Sequence, residues 1–304
     1  MGRSKETLGI TMGVHQIRRL NVIDENRNLW KLLDSLPSTL KDMYQRILEA
    51  IPLEDRPDTF RALEWLVFSA KLVRLEELPE ALAVKLNDQC GYDAMMKDVA
   101  ISHSLLLNSS LITTSRFQAS EPTDIAEQYQ DQVLLLADEV SEIRPAHASV
   151  KDYLLSSKVS SLSLDAKLAN RSIAETCLLY LLHTPFRYGF RGENMHDTLL
   201  QSWPLLLYAS HCWLRHVQEL DDDLDDTTWQ LILRLFQSKD LPSCGNFGVW
   251  LTSLVPEATI GLIEDTTPLY YPSSYGATSI VQRLLAPEQH VSDIDGLGGW
   301  ADRQ

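Results

Sequence analysis

The residues best suited to chemistry lie in the segment 142–155, where a histidine and a serine are two positions apart. His147 follows a short extended run, and Ser149 precedes a helix predicted from Val150. An imidazole close to a hydroxyl suggests a general base beside a nucleophile. Ser149 and Asp152 also have the spacing of a capping box. Because no Gly-x-Ser-x-Gly turn surrounds Ser149, we predict that it caps the helix and attacks no substrate.

A second group of reactive residue types, His211, Cys212 and His216, lies in a predicted helix over Pro204–Val217. Cys212 and His216 are four positions apart and therefore share one helix face. A closed zinc site needs about four ligands, and the chain has no His-Glu-x-x-His motif. We predict that this helix packs around its apolar residues and that the chain has no metal site and no catalytic residue.

The elements that position His147 are predicted from hydrophobic periodicity. Thr39 and Asp42 have the spacing of a capping box, and Pro79 is tolerable only in the first turn of its helix. Helices are predicted over Thr39–Ile51, Asp55–Ala70, Leu75–Leu86 and Met95–Leu107. Strands are predicted over Leu111–Thr114, Val133–Ala137 and Glu142–Ala146. Helices followed by a small β-hairpin are the outline of a winged-helix domain.

The second half of the chain is predicted to be helical, with a different pattern at its end. Helices are expected over Asp165–Leu182, Pro204–Val217 and Thr227–Phe236, and Phe247–Leu254 is a short apolar segment. The acidic run 221–226 is expected to be a solvated loop between two of them. From Thr267 to Leu285 the sequence resembles one ankyrin unit, a turn and two short helices with Gly276 between them. Pro272 is predicted to remove a hydrogen bond from the first of these helices.

Composition and charge exclude several classes of partner. The chain has 304 residues, of which 44% are hydrophobic and 23% charged, with a net charge of −15. That charge repels nucleic-acid phosphates and anionic lipids. The four cysteines form no Cys-x-x-Cys pair, which is typical of free thiols in a reducing compartment. No apolar run approaches the roughly 20 residues of a membrane span. We expect a cytoplasmic protein with no membrane partner.

The charge of the predicted winged helix also disfavours DNA binding, which needs a basic recognition helix and a basic wing. The candidate recognition region 70–86 has three basic and three acidic residues, and the wing region 121–142 has seven acids with no Lys or Arg. A nucleic-acid binder is therefore the least favoured function. We expect the domain to pack against protein.

Four segments in order resemble fungal NACHT–ankyrin signalling proteins, whose winged helix is also labelled after GPI inositol-deacylase. They are Leu36–Leu48, Ala62–Val84, the His147 segment and Trp203–His216. The resemblance covers about residues 35–285. It implies that a NACHT domain binds ADP or ATP under the winged helix, that ATP exchange releases the winged helix for oligomerisation, and that ankyrin repeats sense a ligand. Fungal members are linked to non-self recognition and cell death.

The resemblance gives His147 one possible role, as a sensor that donates to a nucleotide β-phosphate when a NACHT domain is present. The other role is local, with the ring closing the strand-to-helix junction through a backbone carbonyl. A phosphate-binding P-loop ends in Gly-Lys, and none of the thirteen glycines is followed by lysine. We therefore expect no cofactor for this chain, and ATP or ADP only with a NACHT domain.

These patterns predict a mainly α protein that is a C-terminal fragment of a NACHT–ankyrin protein. The predicted parts are a weakly structured or truncated end over 1–34, a winged helix over 35–158, a helical linker domain over 159–262, and a degenerate ankyrin-like unit with its tail over 263–304. The expected function is a non-enzymatic interaction and regulatory module whose partner is a NACHT domain in cis or in trans. The alternative is a nucleotide-dependent switch, if a NACHT domain precedes this sequence.

Overall fold

The protein is mainly α-helical with a small antiparallel sheet, which confirms the predicted fold class. A computed structural model describes residues 39–86, 91–96, 111–118, 139–156, 164–188, 195–220, 223–256 and 258–286. The α-helices are α1 Leu40–Glu49, α2 Arg56–Phe68, α3 Glu77–Leu82, α4 Ala148–Ser156, α5 Ala166–Leu181, α6 Met195–Ser202, α7 Leu205–Gln218, α8 Asp226–Gln237, α9 Gly245–Leu254, α10 Ile260–Asp265, α11 Tyr270–Ser274 and α12 Thr278–Leu284. The strands are β1 Val73–Arg74, β2 Val84–Lys85, β3 Gly91–Tyr92, β4 Ile112–Gln118 and β5 Glu139–Pro145.

The sheet that leads to His147 has three strands in the order β1-β5-β4, all antiparallel. Strand β5 is central: Val73 of β1 lies opposite Ile143, and Ile112 of β4 lies opposite Pro145. Strands β2 and β3 form a separate antiparallel ribbon. The predicted helix over Leu75–Leu86 was too long, because only Glu77–Leu82 is helical and Val84–Lys85 near its end pairs as strand β2.

Polar side chains fix the starts of several helices. Thr39 accepts a hydrogen bond from the Asp42 backbone N–H at 3.1 Å, which confirms the cap predicted for α1. Asp165 and Asp225 cap α5 and α8 in the same way. Pro79 lies in the first turn of α3, where a missing N–H costs no helical bond.

The segment that resembles an ankyrin unit has the two short helices predicted for it, α11 and α12, and Pro272 does not disrupt the first. Pro272 is the third residue of the five-residue helix α11, where its missing N–H is not needed. Its carbonyl accepts from the Ala277 N–H at 2.8 Å, which closes the turn before α12. The proline therefore limits the length of the helix without removing a bond.

Two clusters of buried apolar residues hold the fold together. The larger cluster takes side chains from α2, β1, α3, α5, α7, α8, α9, α11 and α12, so it includes residues from the predicted winged-helix, linker and ankyrin-like segments. Its largest members include Trp65, Trp213 and Trp250, each 0% exposed. The smaller cluster joins α1, α2 and α4. Burial of aromatic side chains of this size is the main stabilising term in such a core.

Several predicted features lie outside the described residues. These are the segment 1–34, nearly all of the helix over Met95–Leu107, the strand Val133–Ala137 and Cys90. In the portions of the chain that the structure describes, no helix is both long enough and apolar enough to cross a membrane.

Candidate functional site

His147 lies where β5 ends and α4 begins, and its ring caps that helix. The Ser149 backbone N–H donates to His147 Nδ1 at 3.1 Å, and the Val150 N–H donates to the His147 carbonyl at 2.9 Å. This is the N-cap arrangement, with an imidazole nitrogen in the place of the usual side-chain oxygen. The prediction that Ser149 caps the helix from Val150 was wrong, because α4 starts at Ala148 and Ser149 lies within its first turn.

The Ser149 hydroxyl connects His147 to helix α1. Ser149 Oγ is 2.8 Å from His147 Nδ1 and 2.8 Å from the hydroxyl of Tyr44. Tyr44 is 1% exposed and packs its ring on Tyr153 at a centroid distance of 5.4 Å. Burial raises the pKa of Tyr44, although the hydrogen bond to Ser149 opposes that shift. The phenol therefore stays protonated and can donate.

The contact between Ser149 and His147 does not have the arrangement of a nucleophile and its base. A catalytic imidazole accepts the serine proton on one nitrogen, and a third group orients the other. Here the single lone pair of Nδ1 is shared between the Ser149 N–H and the Ser149 hydroxyl. No described residue bonds Nε2, and His147 remains half-buried at the protein surface. The geometry fits a positioned ring and gives no activated serine.

The side chains of His211, Cys212 and His216 on α7 do not converge on one point. His211 Nδ1 lies 2.9 Å from the Leu207 carbonyl, while His216 is 1% exposed and faces α5. Cys212 is fully buried in the larger apolar cluster. Within the described ranges, no group of three or more His, Cys, Asp and Glu residues is placed to hold a metal ion.

His216 belongs instead to a buried chain of hydrogen bonds that the sequence did not indicate. Its Nδ1 is 2.7 Å from Asn170 Oδ1, and its Nε2 is 2.9 Å from the Tyr208 hydroxyl. The Ala70 N–H donates to the same hydroxyl at 3.1 Å. Burial, with the charge of Arg215 nearby, lowers the pKa of His216 to about 4, so the ring is neutral. The chain connects the end of α2 to α5 and α7.

A buried ion pair lies close to this chain. Arg74 donates through Nε to Glu77 Oε1 at 2.9 Å and through a terminal nitrogen to the Pro204 carbonyl at 2.9 Å. Glu77 is 0% exposed and also accepts from the Arg74 backbone N–H at 2.8 Å. Lys71 Nζ is 4.0 Å from the same carboxylate. These contacts fasten β1 and α3 to the start of α7.

A second buried carboxylate, Glu80, is 1% exposed and accepts from the Tyr180 hydroxyl at 2.7 Å. Burial raises the pKa of the Tyr92 hydroxyl, and the negative charge of Glu80 raises it further. The ring of Tyr92 lies edge-on to Tyr180, His183 and Trp203 at 5.0–5.5 Å. Sequence reasoning missed both carboxylates, because it used Glu77 and Glu80 only in the net charge of the region 70–86.

The acidic run predicted to be a solvated loop is exposed at Asp223 and Asp226, and its described aspartates pair with cations of neighbouring helices. Arg171 Nε is 3.4 Å from Asp225, and Arg283 is 3.4 Å from Asp226, while Lys167 pairs with Asp223. The Arg283 guanidinium also lies over the Trp229 ring, 5.6 Å from its centroid. Residues 221 and 222 lie outside the described part. The three described aspartates therefore join α5 and α12 to the start of α8.

Comparison with known proteins gives one distant relative. No protein-family profile matches the sequence, and no solved structure matches it. The chain is 28% identical over 269 residues to a Monascus ruber protein named azaphilone pigments biosynthesis cluster protein L. The alignment covers 84% of this chain and 52% of that protein, so the chain spans about half the length of the curated relative it matches.

Proposed function

We propose that this chain is a non-catalytic regulatory module of a NACHT–ankyrin-type signalling protein and that it acts in the cytoplasm through protein contacts. The strand order β1-β5-β4, with helices before and after β1, supports a winged-helix assignment for the first part. The helix pair α11–α12 supports the ankyrin-like assignment for the last part. The proposed partner is a NACHT domain, in the same chain or in another.

The position of His147 carries this proposal. His147 follows the central strand β5, and its ring caps α4 through Nδ1. No described residue bonds its Nε2. The capping bond uses only Nδ1, so Nε2 is left for a ligand outside the described residues. The arrangement fits the nucleotide-sensing role that the resemblance gives His147, with ADP or ATP held by the NACHT domain.

A nucleotide-dependent switch is the second candidate, and the same histidine favours it when a NACHT domain belongs to the full protein. The name of the Monascus ruber relative refers to a biosynthetic cluster. A regulatory member of such a cluster is compatible with either candidate, since neither assigns chemistry to this chain.

Calorimetry separates the proposal from an enzymatic function. The chain alone should neither bind ATP at micromolar concentration nor hydrolyse it. Mixed with a P-loop-containing NACHT domain of the fungal family, it should form a complex that retains ADP more tightly than the NACHT domain alone. His147→Ala should remove that gain, while the control Lys151→Ala, on an exposed position of α4, should not. ATP turnover by the isolated chain, or the absence of any complex, would overturn the proposal.

A further inference from the structure

We propose that Ser149 and Tyr44 are positioning residues that hold His147 in the tautomer with its proton on Nε2. The inference deepens the proposed function and rests on it for its ligand, a phosphate oxygen of a nucleotide held by a NACHT domain. The tautomer itself is a property of this chain and can be measured without any ligand.

One backbone group fixes the direction of every hydrogen bond in this relay. The Ser149 backbone N–H can only donate, and it points at His147 Nδ1 from 3.1 Å. Nδ1 must therefore present its lone pair, which leaves the proton of the neutral ring on Nε2. The Ser149 hydroxyl, 2.8 Å from the same nitrogen, must then donate as well.

The same reasoning sets the role of Tyr44. Once the Ser149 proton is directed at His147, Ser149 Oγ has only lone pairs for its second neighbour. The Tyr44 hydroxyl, 2.8 Å away, therefore donates to Ser149. The relay runs from Tyr44 through Ser149 to His147, and it links the orientation of the ring to the packing of α1 against α4.

The fold selects tautomers individually, because two other histidines have the opposite one. His211 Nδ1 is 2.9 Å from the Leu207 carbonyl, which can only accept, so that nitrogen carries the proton. His216 Nδ1 faces Asn170 Oδ1 at 2.7 Å. The Asn170 amide is oriented by its own bond from Nδ2 to the Ala166 carbonyl at 2.9 Å, so its oxygen is the acceptor.

The tautomer decides what His147 offers to a ligand. With its proton on Nε2, the ring gives a neutral donor on the side away from the helix, and phosphate oxygens accept hydrogen bonds. With its proton on Nδ1, the ring would present a lone pair to the same phosphate and would repel it. The relay thus prepares the donor before any ligand arrives, and no ordering of the ring is needed on binding.

Long-range proton–nitrogen correlation spectra of the 304-residue chain, uniformly labelled with nitrogen-15 and held near pH 8, test the relay. Each ring is assigned by its His→Gln variant. We expect a single tautomer for His147 with the proton on Nε2, and protons on Nδ1 for His211 and His216. A mixture at His147, or a proton on its Nδ1, would overturn the inference.

Variants test the two positioning residues. Ser149→Ala should raise the proportion of the Nδ1-protonated form about fivefold, the change expected from one ordinary hydrogen bond. Ser149→Thr, which restores the hydroxyl, should restore the single tautomer, and Tyr44→Phe should shift the ratio in the same direction by less. Tyr153→Phe is the matched control, since it removes a hydroxyl from the ring next to Tyr44 and leaves the relay intact. An unchanged spectrum in folded Ser149→Ala would refute the role of the hydroxyl.

The nucleotide arm distinguishes failure of the relay from failure of the proposed function. In the complex with a NACHT domain, Ser149→Ala should weaken ADP retention by less than fivefold, in proportion to the fraction of rings that lose the proton on Nε2. If the tautomer of His147 responds to Ser149→Ala as expected but neither His147→Ala nor Ser149→Ala changes ADP retention, the sensing role is refuted and the relay is supported. If His147→Ala weakens ADP retention while the wild-type spectrum shows mixed tautomers, the relay fails and the sensing role remains.

Discussion

His216 should make the free energy of unfolding depend on pH, and replacing its imidazole should remove that dependence. The folded pKa is about 4, because the ring is buried and Arg215 is close. The unfolded chain exposes the imidazole to water, where it titrates near its ordinary pKa of 6.5. Between these two values the unfolded state binds more protons than the folded state. The contribution of His216 is therefore complete above about pH 6.5 and decreases as the pH falls towards 4.

The magnitude follows from the two pKa values. Linkage between 6.5 and about 4 gives a loss of about 2 kcal/mol on going from about pH 7.5 to about pH 5. Below about pH 4 the loss levels off at about 3 kcal/mol. Burial lowers the pKa of His183 as well, so that residue adds a loss of the same sign. The difference between the wild type and a His216 variant isolates the first contribution.

Equilibrium urea unfolding at about pH 7.5, 6 and 5 measures this difference. His216→Gln should be less stable than the wild type at pH 7.5 by about 1–3 kcal/mol, because Asn170 and Tyr208 lose a well-placed partner. It should then lose about 2 kcal/mol less on acidification. His211→Gln, on the same helix, is the control and should follow the wild type. If His216→Gln and the wild type lose stability in parallel, the ring is not the buried neutral group that the geometry requires.

Three further predictions concern the buried core. Arg74→Met should lower the free energy of unfolding by about 3–5 kcal/mol, because it leaves the Glu77 carboxylate buried without its closest cation; a loss under about 1 kcal/mol would show that the pair is solvated. Gly248→Ala should lower it by about 1–3 kcal/mol, since the new Cβ would lie 2.6 Å from the Ser243 carbonyl oxygen, whereas Gly261→Ala, with nothing within 4 Å, should be neutral or stabilising. Cys177 and Cys212, both 0% exposed, should react with an aromatic disulfide reagent only on unfolding, and burial also raises the pKa of Cys177; rapid labelling at either of these two positions in the folded chain would contradict this.

Periodicity predicted the helices well because burial and periodicity have the same cause. The buried residues of α1, Met43, Tyr44, Ile47 and Leu48, recur at the helical spacing from which the helix over Thr39–Ile51 was predicted. The pattern failed around α3, where a short helix lies between two two-residue strands. Strands that short leave no alternation to detect, and their pairing partners, β5 and β3, lie elsewhere in the sequence. Only the tertiary context decides between helix and strand at such positions.

The polar interior was the part that sequence could not supply. Glu77 and Glu80 lie in a helix whose six residues are all buried. The same sequence would also fit a helix whose first turn exposes its acidic residues. Arg74 is only three residues from Glu77 but lies in a strand, and Tyr180, the partner of Glu80, is a hundred residues away, so neither contact follows from a helical spacing. The prediction of the residue that caps α4 was wrong for a related reason. Serine is the commoner capping residue, and the choice of His147 depends on where β5 ends.

Helix α2 gives the molecule its means of connecting His147 to the rest of the fold. Ala62 and Trp65 lie in the larger apolar cluster, while Leu63 and Val67 lie in the smaller one with α1 and α4. Helix α2 therefore contributes side chains to both clusters. Helix α4, which His147 caps, belongs to the smaller one. Packed interiors resist small shifts and change between discrete arrangements. A ligand that moved His147 would therefore have to displace α4 against α2. The residues that follow α2 are bonded to α7 and to the residue before it, because the Ala70 N–H donates to Tyr208 and Arg74 donates to the Pro204 carbonyl. These hydrogen bonds would transmit the displacement of α2 to α7.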